Sequence, residues 1–256
     1  MARTRKTPTK FAQSGHKGLK RPVPNLSVGK YHTKSSAIHE IKFTGALVHW
    51  EDFEDEVIAG IEELRPKLEG IITHENLSRV PSYYMTQEHV QAGDEHGVQG
   101  RFQQHVGQVV SAVLKAGGFP VKFSDYRASS SKDYNLIPDV AIIDVTTCDL
   151  RGVGEIKVPW VGAHDLDAIF NVEAKLQTAL GKLKYGLFST YDMTIFLKQE
   201  QSQNGTWELH YSSIVEYSQI GGVDKSSLRE CAFYLAVLAS GGHGANNQTP
   251  LDSWVE

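Results

Sequence analysis

The chain has 256 residues, 40% of them hydrophobic and 22% charged, which is enough to build one sizeable core. No apolar run approaches the roughly 18 residues of a membrane helix, and the opening residues lack the apolar stretch of a secretory signal. An intracellular protein, nuclear or cytoplasmic, with no membrane partner is therefore expected. Cys148 and Cys231 are the two cysteines, too few for a disulfide scaffold or a four-cysteine zinc site.

Nine lysines and arginines and no acid precede residue 35, while the rest of the chain carries 17 basic and 30 acidic residues. Such a distribution reads as a basic arm on an acidic body: the arm suits polyanions, and the body offers nucleic acid no global attraction. Residues 1–37 hold few large apolar side chains in no periodic order, so they are expected to be a disordered tail. Residues 38–242 are expected to form the folded domain and 243–256 a C-terminal tail.

Within the domain, Trp50, Phe53, Val57, Ile58, Ile61 and Leu64 recur at helical spacing in WEDFEDEVIAGIEELRPKLEGI, with acids at the start that complement the helix dipole. A second helix is predicted in VQGRFQQHVGQVVSAVL, where Val98, Phe102, Val106, Val109, Val110 and Val113 form one stripe that ends at Gly117 and Gly118. From Phe119 the pattern changes to short, β-branched runs, FPVKFSDYR, NLIPDVAIIDVTT and GVGEIKVPW, which predict three strands. AIFNVEAKLQTALGKLK returns to helical spacing. YGLFSTYDMTIFLKQE and TWELHYSSIVEY read as two more strands joined by the turn-prone QSQNG. SSLRECAFYLAVLAS closes the domain as an apolar helix with a serine cap candidate. The order predicts an α/β (α+β) architecture with a mixed sheet flanked by helices.

The chemistry concentrates on two of these strands. Asp139 follows Pro138 at the start of a buried-looking strand, and Glu155 lies in the next one. Glu155 and Lys157 are two residues apart, so in a strand they share a face while Ile156 and Val158 take the other. If the two strands are neighbours, Asp139 joins them, giving two carboxylates and a lysine. Carboxylates hold a hard cation such as magnesium, which lowers the pKa of a bound water and neutralises charge on a phosphorane, so the trio suits metal-assisted phosphodiester hydrolysis. Histidines are scattered without zinc spacing, and there is no P-loop, GxGxxG or GxSxG.

On WEDFEDEV, EHGVQGRF, IPDV, GEIKVPW, YGLFSTYDMTIFL and SLRECAFYLAVLA in that order, the chain resembles the PD-(D/E)xK nuclease superfamily, and within it the nuclease-like domains common in fungi. The resemblance spans roughly residues 45 to 240. It implies a restriction-endonuclease-like αβββαβ core. It also implies Asp139 and Glu155 as ligands of magnesium or manganese, and Lys157 as the residue that orients or deprotonates the attacking water. Glu95 is the candidate for the acid that the superfamily often adds from its first core helix as a third metal ligand, with Gln99 or Gln103 as alternative occupants of that position. Gln177 corresponds to a glutamine that contacts a phosphate or holds the lysine. Nucleic acid, DNA or RNA, is the implied substrate, and a nuclease-like domain that keeps the fold as an interaction module is the alternative.

Overall fold

The computed structural model describes residues 11–34, 46–75, 90–130, 137–164, 166, 180, 182–247 and 249. The inner strands of one mixed sheet alternate between two apolar faces. In β5 (Val140–Asp144), Val140 and Ile142 pack into one cluster and Ala141 and Ile143 into another. The remaining strands are β2 (Ala46–His49), β4 (Val121–Ser124), β6 (Leu150–Ile156), β7 (Tyr185–Ser189), β8 (Met193–Gln201), β9 (Trp207–Tyr211) and β10 (Val215–Glu216). Their order is β2-β9-β8-β7-β6-β5-β4, with β10 on β8. Strands β4, β5 and β6 are successively antiparallel, β7 lies parallel to β6, and β2 lies parallel to β9.

Five α-helices contribute to the first cluster. Leu19 of α1 (Gly15–Lys20), Val57 of α2 (Phe53–Glu69), Val98 of α3 (Glu95–Phe102), Val110 of α4 (Gln108–Ala116) and Phe233 of α5 (Leu228–Gly241) meet there with Ile156, Leu187 and Phe196 of the sheet. Burying this apolar surface is the main stabilisation of the domain, at about 25 cal/mol per Å². The second predicted helix is α3 and α4 joined by a π-helical turn, Gln103–Gly107. Its buried residues Val98, Phe102, Val106 and Val110 are four apart, a spacing that drifts around a regular 3.6-residue helix; the wider turn holds the stripe on one face. Helix α5 opens with a capping box: the Ser227 hydroxyl accepts from Glu230 N while the Glu230 carboxylate accepts from Ser227 N.

Three expectations need correcting. Residues 11–34 are not a disordered tail. Phe11–Ser14 forms β1, paired with β3 (Ile72–Glu75), and Leu19, Val23 and Leu26 are buried in the main core. The Ser227 hydroxyl donates to Leu19 O at 2.6 Å, and the Tyr191 hydroxyl donates to Pro24 O at 2.8 Å. The segment thus gains from tertiary contacts what its own pattern lacks. Residues 1–10 and 35–37 lie outside the described residues.

The C-terminal tail is likewise docked over its first residues, where Lys184 N donates to His243 O at 2.7 Å and Ala245 N to Lys182 O at 2.8 Å. The two late strands are in fact four. YGLFSTYDMTIFLKQE folds back on itself at Thr190–Asp192, where Tyr191 adopts φ 72°. A tyrosine is an unusual occupant of the left-handed region, and its buried ring and bonded hydroxyl hold it there.

The predicted helix over AIFNVEAKLQTALGKLK, with Gln177, falls almost entirely outside the described residues. Its Leu180 and the neighbouring Leu166 are buried in the second cluster. Among the described residues no helix is long and apolar enough to cross a membrane.

Candidate functional site

Asp139, Glu155 and Lys157 come together at the ends of two neighbouring strands. The antiparallel register pairs Val140 with Gly154 and Ala141 with Val153, and one further step sets Asp139 opposite Glu155 on the same face. Asp139 Oδ2 accepts from Ile156 N at 2.9 Å, which stitches the start of β5 to the end of β6. Lys157 stands one residue beyond β6 and extends its ladder, with its N–H donating to Ser189 O at 2.9 Å. Its ammonium lies 2.7 Å from Glu155 Oε1, the contact that the two-residue spacing anticipates.

Glu95 is the first residue of α3 and reaches the same ammonium, with its Oε1 at 3.1 Å from Lys157 Nζ. Asp94 caps the helix by accepting from Gly97 N at 2.8 Å, which fixes the turn that projects Glu95. Gln99 of α3 and Gln103, the first residue of the π-helical turn, serve the backbone. The Gln99 amide donates to Asp139 O, and the Gln103 amide donates to Ser124 O at 3.1 Å. Glu95, Gln99 and Gln103 thus share one face, turned toward Lys157 and the starts and ends of the neighbouring strands. What their spacing cannot reveal is that Glu95 meets the lysine and the amides meet strand carbonyls. Gln177 lies outside the described residues.

The electrostatics follow from this arrangement. Burial and the facing charge of Glu155 push the Asp139 carboxyl up to about 6. Burial works against the Lys157 ammonium, but Glu155 and Glu95 outweigh it and hold its pKa above the ordinary lysine value. At neutral pH the lysine is therefore a fixed positive charge in this arrangement, suited to orienting or stabilising an anion rather than accepting a proton.

Among the described residues no group of three or more His, Cys, Asp and Glu side chains is placed to hold a metal ion. Magnesium seldom asks for that many. It is commonly held by one or two carboxylates, with waters and substrate phosphates completing the octahedron. The facing carboxylates of Asp139 and Glu155 fit that donor set. Beside the site, His96, Gln99 and Gln103 line a groove of about 540 Å³ that runs between α3–α4 and the edge strand β4.

Comparison with protein-family models, with curated proteins and with solved structures finds no match to this chain.

Proposed function

We propose that the protein is a metal-dependent nuclease that hydrolyses phosphodiester bonds in DNA or RNA through Asp139, Glu155 and Lys157, on a restriction-endonuclease-like PD-(D/E)xK core. The observation that carries this reading is the placement of Asp139 opposite Glu155, with the Lys157 ammonium 2.7 Å from Glu155, at the ends of adjacent strands. The helix α3–α4, the antiparallel run β4-β5-β6 and the strand β7 parallel to β6 support it, because the resemblance implies that chain order.

Asp139 and Glu155 would hold magnesium or manganese, which when bound supplies Lewis acidity and a water of lowered pKa. Lys157 orients the attacking water and stabilises charge on the phosphoryl oxygens. Glu95, through its bond to the ammonium, positions the lysine. Water adds to phosphorus as the bond to the leaving oxygen breaks, giving a phosphomonoester and a hydroxyl. The intracellular location expected from the sequence belongs to the same proposal.

The test is calorimetric titration of manganese into the protein and into Asp139→Asn, followed by a cleavage screen of DNA and RNA with Lys157→Met as control. Saturable binding that Asp139→Asn loses, together with metal-dependent cleavage that Lys157→Met loses, is the expected result. One observation favours a second reading, that of a non-catalytic interaction module: Glu95 and Glu155 are both already paired with Lys157. Absence of site-specific metal binding and of cleavage would select it.

A further inference from the structure

Residues 27–34 form a strap beside the carboxylate site that the nuclease reading leaves unused. Its first half is stitched to the chain just ahead of α3. Gly29 N donates to Ala92 O, Ala92 N to Ser27 O and Thr33 N to Gly93 O, each at 2.8 Å, and Val28 bridges Ala92 in parallel. Gly93 lies two residues before Glu95. The second half is tied to the chain just beyond the lysine. Trp160 Nε1 donates to Thr33 O at 2.8 Å, and the His32 and Trp160 rings lie 5.0 Å apart. Trp160 is three residues past Lys157. The strap thus spans the two segments that deliver Glu95 and Lys157.

Its outward side chains are of a particular kind. Tyr31 is 92% exposed, and the Lys30 ammonium sits 5.7 Å from the centre of its ring. Lys34 is exposed at the other end. Ile137, two residues before Asp139, and Val28 are also large apolar side chains left on the surface. Among the described residues this ring, presented to solvent between two lysines, carries no packing role. It offers a face on which a base can stack and charges that match flanking phosphates. The strap also belongs to the basic, acid-free first part of a chain whose remainder is strongly acidic, so it supplies the local attraction that the carboxylate site itself repels.

We propose that the 27–34 strap is a binding site for single-stranded nucleic acid. Tyr31 stacks an unpaired base, and Lys30 and Lys34 meet the phosphates on either side. The proposal rests on the nuclease reading for its substrate class and narrows that class, because a base within a duplex has no free face to offer Tyr31.

The experiment is fluorescence anisotropy with the full chain in EDTA, so that binding is read without cleavage. The probes are a labelled single strand of about a dozen nucleotides and a hairpin duplex of the same composition. The single strand is expected to bind more tightly than the duplex. Tyr31→Ala is expected to lose about tenfold in single-strand affinity while Tyr31→Phe keeps it. Lys30→Ala with Lys34→Ala is expected to reduce the slope of log K against log salt by about 1.4, which is roughly 0.7 per lost phosphate contact. The proposal is overturned if the chain binds neither probe, if Tyr31→Ala binds the single strand as tightly as the parent, or if its losses are equal for both probes. Cleavage is scored separately. A chain that binds through the strap and does not cut overturns the nuclease reading alone, and one that cuts while Tyr31→Ala binds normally overturns the strap alone.

Discussion

The side-chain amide of Gln99 donates a hydrogen bond to the backbone carbonyl of Asp139, so the helix that projects Glu95 also holds the strand that projects its facing carboxylate. Glutamine at this position is thus a clamp between two elements of the site. Truncation to alanine leaves a half-buried carbonyl unpaired, a loss of about 1–2 kcal/mol. We expect Gln99→Ala to lower the urea midpoint accordingly and to weaken manganese binding several-fold, because the Asp139 backbone is then less constrained. Unchanged stability together with unchanged metal affinity would show that the contact does neither.

Asp139 predicts a pH dependence whose sign is opposite to that of an ordinary ion-paired carboxylate. Burial and Glu155 raise its pKa to about 6 in the folded protein, above the range it has when unfolded. Between about pH 4 and 6 the folded state binds the extra proton, so this contribution is complete below the unfolded pKa and is lost as pH rises through 6. In EDTA, Asp139→Asn should therefore show a higher Tm than the parent at pH 7.5 and a flatter Tm profile between pH 4 and 7. Saturating manganese should reverse the ranking at pH 7.5, since only the parent gains from binding. Calorimetric scans across this range check both, and superimposable profiles in EDTA would falsify the assignment of the shift to Asp139.

Lys157 bridges two carboxylates that would otherwise repel each other. Its side chain is 11% exposed and lies within 3.1 Å of both Glu95 and Glu155. Lys157→Met leaves these acids near each other and near Asp139 without a counter-charge, for which we expect a loss of about 2–3 kcal/mol at pH 8. Adding Glu95→Gln should recover part of that loss, giving a positive coupling in a double-mutant cycle. Additive effects would mean that Glu95, the more exposed partner at 37%, contributes nothing to holding the lysine.

The trio was legible because strand geometry converts spacing into direction. Glu155 and Lys157 stand two apart in a β-branched run, which puts both on one face, and the neighbouring strand follows from a short connection. The antiparallel turn at Thr190–Asp192 was not legible, since Tyr191 adopts its positive φ without glycine or asparagine to announce it. Gln99 and Gln103 were legible as a shared helix face, but their acceptors are backbone carbonyls that no residue pattern encodes. The early segment was illegible for a different reason. Leu19, Val23 and Leu26 stand at i, i+4 and i+7, but Pro22 and Pro24 break any helix there, and the backbone at Leu19 and Pro24 is instead bonded by the distant Ser227 and Tyr191 side chains.

That last relationship makes the early segment part of the folding unit. Leu19 is 0% exposed and packs in the main core with α2 and α5, while its carbonyl accepts from Ser227, the residue that caps α5. Val23 N donates to Tyr217 O at 2.8 Å. A dispensable basic arm would tolerate Leu19→Ala without cost. A core residue would lose about 2–5 kcal/mol, the transfer term plus the cavity. We expect the latter, read as a fall in the urea midpoint with an unchanged slope, whereas exposed Lys17→Ala on the same helix should shift the midpoint by less than about 0.5 kcal/mol. Deletion of residues 1–26 should then abolish the cooperative transition, because it removes the backbone acceptors of Ser227 and Tyr191 together with the buried side chains. A deletion variant that unfolds cooperatively at the parent's midpoint would show that the domain is complete without them.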